Sequence, residues 1–103
     1  MKEKIKVIRG SGNVFRDFGY PNADLQQLKA LLAADIIKTL SRDELTVRAA
    51  AELTGIAAAD FSRIRNADLN RFTVDRLMTI INRLGRRVEV SVKVKNAPAE
   101  ART

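Results

Sequence analysis

The chain has no cysteine, no histidine and no tryptophan among its 103 residues, and each absence removes a class of function. Without cysteine there are no disulfides and no thiolate sites. Without histidine the commonest general base and the commonest zinc ligand are missing. The aromatics are four Phe and one Tyr, too few for an aromatic cage or an extended base-stacking platform. No apolar run approaches the roughly 20 residues of a membrane helix. The opening residues 1–8 are Lys-rich, and their apolar part is too short for a signal peptide. A cytoplasmic protein without metal or cofactor is therefore expected. At this length one small domain is expected, with a thin core that dimerisation would strengthen.

What is present is positive charge, unevenly placed. The formal net charge is +7 and the isoelectric point about 10.4. Residues 21–60 carry four Lys/Arg against six Asp/Glu, whereas residues 61–87 carry seven Arg (63, 65, 71, 76, 83, 86 and 87) against Asp68 and Asp75. Clustered cations of this kind supply sequence-independent affinity for phosphate.

The basic excess begins inside the most informative stretch of the chain, residues 45–66. Two short helical patterns meet there at Gly55, a glycine placed where a tight turn between helices needs a left-handed residue. Thr46 is positioned to cap the first of them, with Ala50, Ala51 and Leu53 as its buried face. Ile56 plugs the corner, and Phe61 and Ile64, three apart, give the second an apolar edge. This is the plan of a helix-turn-helix, whose second helix enters the major groove of DNA.

The flanks supply the rest of a core. Residues 4–8 alternate weakly as a short strand, and Gly10-Ser-Gly-Asn13 breaks regular structure. Val14, Phe15 and Phe18 are anchors for a docked arm, and Gly19-Tyr-Pro21 is a turn. Asn22 is placed to cap a first helix over 23–40, whose stripe is Leu25, Leu28, Leu32, Ile36 and Leu40, widened by Ile37. Leu69 and Phe72 plug the loop after Asn66. Thr73 caps a helix over 74–83, with Asp75 suiting its dipole, Leu77, Ile80, Ile81 and Leu84 as its core edge, and Gly85 ending it. Residues 88–95 alternate strictly, placing Val88, Val90, Val92 and Val94 on one face of a strand. A lone strand is not stable. Its partner is the segment 4–8, the same strand of a second subunit, or another protein.

With these residues in place the chain resembles Cro/repressor-type helix-turn-helix proteins, and more narrowly the HigA-like antitoxins of type II toxin–antitoxin pairs. The likeness is carried by Gly12-Asn-Val-Phe-Arg-Asp-Phe-Gly-Tyr-Pro21, Ala50-Ala-Glu-Leu-Thr-Gly-Ile56, Arg71-Phe-Thr-Val-Asp-Arg-Leu77 and Leu84-Gly-Arg-Arg-Val-Glu-Val90. It implies a mainly α, five-helix domain with a short C-terminal strand. It also implies a homodimer that binds double-stranded DNA at a palindromic operator, represses its own operon and neutralises a RelE-like toxin. The sequence departs from that pattern where the recognition helix starts. Ala57, Ala58 and Ala59 stand where family members carry Gln or another polar residue, Val47 replaces a phosphate-contacting Gln, and Thr54 replaces a larger apolar residue.

On a helix beginning near Ala58, the face opposite Phe61 and Ile64 presents Ala58, Ala59, Ser62, Arg63 and Asn66. Arg63 is the first candidate for base contact, since Arg pairs bidentately with guanine O6 and N7; a phosphate clamp is its alternative role. Ser62 can bond a base edge or phosphate. Arg65 lies on the flank, for a phosphate or an intramolecular contact. Asn66 either caps the helix or touches DNA. Ala57, Ala58 and Ala59 offer only methyl contacts. Arg71 and Arg76 are placed to reach the DNA backbone, and Thr46, first a cap, sits at a helix end that can also meet a phosphate.

The expected organisation is an arm over 1–21, the DNA-binding domain over 22–87, a dimerising strand over 88–95 through Val88, Val90, Val92 and Val94, and a flexible tail over 96–103. The toxin surface falls on the first helix or on the arm. Two rivals keep the fold: a stand-alone transcription regulator, and a protein-binding antitoxin module with weak DNA specificity. A small basic ribonuclease would need a sheet-centred fold, against four helical patterns and one clear strand here.

Overall fold

The computed structural model describes residues 4–7 and 22–96. Four helices and two short strands form in the order β1 (Lys4–Val7), α1 (Ala23–Arg42), α2 (Val47–Thr54), α3 (Ala58–Arg65), α4 (Val74–Arg83) and β2 (Arg87–Val90). The expected break at 10–13, the anchors Val14, Phe15 and Phe18, the turn at 19–21 and the tail from 97 on lie outside the described residues.

The core is one cluster gathered from every helix: Leu32, Ala33, Ile36 and Leu40 of α1, Ala50 of α2, Phe61 and Ile64 of α3, and Leu77, Ile80 and Ile81 of α4. Ile56, Phe72 and Leu84 close it from the turns. α1 packs along α4 and against α3, while α2 packs on α3 and α4. In α1 burial begins at Lys29 and Leu32; Leu25, expected in the stripe, is 41% exposed, and Leu28 only borders the core. Asn22 precedes α1 in a left-handed conformation, φ 54°, and its side chain makes no cap. Its carbonyl starts the helix instead, accepting from Gln26 N at 3.0 Å.

The five helices implied by the resemblance are not matched: the described residues hold four. After α3 the chain cannot continue helically, because Ala67 turns left-handed at φ 58°, and residues 66–73 run as turns that seat Phe72 in the core.

β1 and β2 form a two-stranded parallel sheet, Lys4 opposite Arg87 and Val7 opposite Val90. The helical domain between them is the crossover that parallel pairing demands. The strand expected over 88–95 is thus only half formed. Among the described residues the ladder ends at Val90, and residues 91–96 carry the alternation on outside any strand. Val88 packs against the core, whereas Val90, Val92 and Val94 are 49%, 73% and 85% exposed.

One buried polar contact ties α1 to the end of α4. Arg86, counted above with the basic excess, is 5% exposed. It reaches Asp35 at 3.0 Å and donates to Thr39 Oγ1 at 2.8 Å. Removing one partner of such a buried pair typically costs about 3–5 kcal/mol, since a charge is left stranded. Among the described residues, no helix is long and apolar enough to cross a membrane.

Candidate nucleic-acid interface

The bend between α2 and α3 is built locally. Thr46 caps α2 as expected, its Oγ1 accepting from Ala49 N at 3.0 Å. Gly55 ends α2 at φ 76°, and its N–H donates to Ala51 O at 2.8 Å. An L side chain at that φ is strained by roughly 1–2 kcal/mol, which explains the glycine. Thr54 completes the joint: its hydroxyl donates to Ala50 O at 2.7 Å and accepts from Ile56 N at 3.1 Å. The methyl of Thr54 is buried while its oxygen holds both ends of the turn, so the threonine replaces a larger apolar residue without leaving a polar group unsatisfied. Arg83 of α4 adds a third tie, donating to Thr54 O at 3.2 Å.

Leu53 corrects the expected face of α2. It is 63% exposed: at about 100° per residue Val47, Ala50 and Thr54 share one arc, and Leu53 falls just outside its edge, beyond Ala50. Ala50 and Thr54 are buried and Ala51 partly so.

α3 is anchored by Phe61 and Ile64, both fully buried, each worth about 1.5–3 kcal/mol of burial. That fixes the roll of the helix. Ala59 and Asn66 come out exposed, and Ala58, Ser62 and Arg63 half-buried at the same surface. Ala57 occupies the N-cap position with no side-chain cap. Asn66 is the C-cap residue, its N–H donating to Ser62 O at 3.1 Å.

The charge is more committed than the sequence suggests. Arg63 bonds Asp60 at 2.9 Å, three residues back on the same helix face, and Arg76 of α4 approaches the other Asp60 oxygen at 3.7 Å. Arg65 takes the intramolecular alternative, donating to Leu45 O at 3.3 Å. Arg83 is bonded to the turn and Arg86 is buried, while Arg71 and Arg87 stay exposed. The candidates Arg63 and Arg76 are thus brought together at Asp60, with Ser62 on the same helix as Arg63, whereas Thr46 and Arg65 serve the scaffold. Asp60 is the residue the sequence reading missed. Its spacing to Arg63 was an available signal; its approach to Arg76 depends on how α3 and α4 pack. The three side chains are 24%, 34% and 43% exposed for Asp60, Arg63 and Arg76. Surface pairs of this kind are worth about 0–1 kcal/mol, small enough for a ligand to break.

The comparisons agree with this geometry. A family model described as a helix-turn-helix domain matches residues 14–93. A solved structure of an XRE family transcriptional regulator is 36% identical, with a TM-score of 0.67, the match covering 77% of this chain and 92% of that one. No curated protein matches significantly. Family and fold are those of DNA-binding regulators rather than of an enzyme. The chain belongs to the helix-turn-helix domain family, in its XRE type.

Proposed function

We propose that this protein is a transcription regulator that binds a palindromic operator as a homodimer, and that it is the antitoxin of a type II pair, repressing its own operon and neutralising a RelE-like toxin. One observation supports the DNA reading above the others: Phe61 and Ile64 turn fully inward, so the opposite face of α3 is left for the major groove. Residues 22–87 form the DNA-binding unit. Arg63 is its base-reading side chain, with Ser62 beside it, and Asn66 lies at the far end of the helix. Ala57, Ala58 and Ala59 give the groove methyl contacts, and Arg71 and Arg76 meet the DNA backbone, while Thr46 and Arg65 hold the scaffold beneath them. Val90, Val92 and Val94 supply the dimer contact, which spaces two α3 helices one turn of DNA apart, roughly 34 Å.

The test is a gel shift against the DNA upstream of this gene, with and without the product of the neighbouring gene. The expected result is a specific complex that the neighbouring product joins or alters. Arg63→Ala costs about 1–3 kcal/mol of binding and relaxes preference at one base pair. Equal weakening on every sequence would reduce Arg63 to a phosphate contact. A stand-alone regulator is the second reading, favoured by the name of the solved relative, which states transcriptional regulation. A specific complex indifferent to the neighbouring product would select it.

A further inference from the structure

Asp60 is the only acidic residue of α3. Its two carboxylate oxygens face the two arginines that the operator reading uses, Arg63 at 2.9 Å and Arg76 at 3.7 Å. Resting on that reading, we propose that Asp60 is a specificity-determining positioning residue, which denies Arg63 to bare phosphate and steers it to a guanine edge.

A guanidinium has five donors. With a guanine, whose O6 and N7 are neutral acceptors, Arg63 can present one edge to the base while Asp60 keeps hold of another. With a phosphate, two anions compete for the same cation and repel each other across it. Asp60 lies in the first turn of α3, where the helix N-terminus favours a carboxylate, so the acid is stable on the surface it polices. The consequence is largest in this chain because Ala57, Ala58 and Ala59 make no hydrogen bonds to bases, which leaves Arg63 the main discriminator on the helix.

The test measures binding of the full chain to two duplexes of equal length, the DNA upstream of this gene and an unrelated sequence, by fluorescence anisotropy across a salt series. Asp60→Asn should bind the unrelated duplex about fivefold tighter with little gain on the upstream duplex, so that their ratio falls. Its salt dependence on the unrelated duplex should steepen by about 0.9 in log–log slope, one added phosphate contact. Asp60→Glu, which keeps the charge, should retain the wild-type ratio, and in an Arg63→Gln background Asp60→Asn should no longer move it. The proposal is overturned if both duplexes tighten by the same factor, if neither changes, if Glu behaves as Asn, or if the ratio falls equally without Arg63. If the wild type binds the two duplexes alike while Asp60→Asn still fails to alter the ratio, the operator reading falls and takes this proposal with it.

Discussion

Thr54 shows how much a single hydroxyl decides at the bend. It satisfies a buried N–H, that of Ile56, and a carbonyl of the last turn of α2 at once. Thr54→Val preserves shape and strands that N–H, so a loss of about 1–3 kcal/mol is expected, read as a lowered urea midpoint with an unchanged slope. Thr54→Ser should retain most of the stability; equal losses for the two variants would assign the effect to the methyl instead. The sequence marked position 54 only as a departure from a family pattern, because a threonine's two roles separate only when both of its neighbours are in place. Gly55, Thr46, Phe61 and Ile64 were legible at this scale, since each answers to its own local geometry. Leu53 was not, because hydrophobicity alone does not say which side of a two-turn helix faces inward.

At the scale of elements, α4 is the best-defined case. Thr73 Oγ1 accepts from Arg76 N at 3.2 Å, and the threonine's hydrogen bond holds the exposed Asp75 carboxyl below the usual aspartate range. A carboxyl whose folded value is depressed stabilises the fold above the ordinary aspartate range, and that contribution disappears as pH falls through the lowered value. Asp75→Asn should therefore lower the melting temperature near neutral pH, and the difference from wild type should close in acid. A gap that is constant across pH would show that the carboxylate's charge has no part in it. The start of α4 follows from its Thr73 cap, and the core edges of α3 and α4 from apolar spacing; these were legible. The strand was legible at its start and overextended at its end, because alternation records which faces a segment has and does not by itself fix where pairing stops. The surface of α3 was legible for the same reason as its core. The engagement of Arg76 and Arg83 was not, since long side chains find partners on other elements.

At the scale of the whole molecule, five of the seven arginines in residues 61–87 are engaged within the fold: Arg63, Arg65, Arg76, Arg83 and Arg86. Positive net charge survives, yet several of the arginines that suggested a nucleic-acid face brace the fold. Under the proposed homodimer, DNA association rests on two paired modules rather than on charge alone. Val92 and Val94 lie past the paired strand and far from the core cluster, so Val92→Asp with Val94→Asp tests the assembly without touching the domain. A monomer in sedimentation, with an unchanged melting profile of the helical signal at low concentration, is the expected outcome. A surviving dimer would place the contact elsewhere.

The ladder between Lys4–Val7 and Arg87–Val90 joins segments roughly eighty residues apart, a closure whose entropic cost is met only once the intervening helices have folded. On a ribosome, the early segment must wait until residues 87–90 have emerged. Helices can condense during synthesis, but this seam is sewn last. Translation of Arg87–Val90 thereby sets the earliest moment at which this sheet can close.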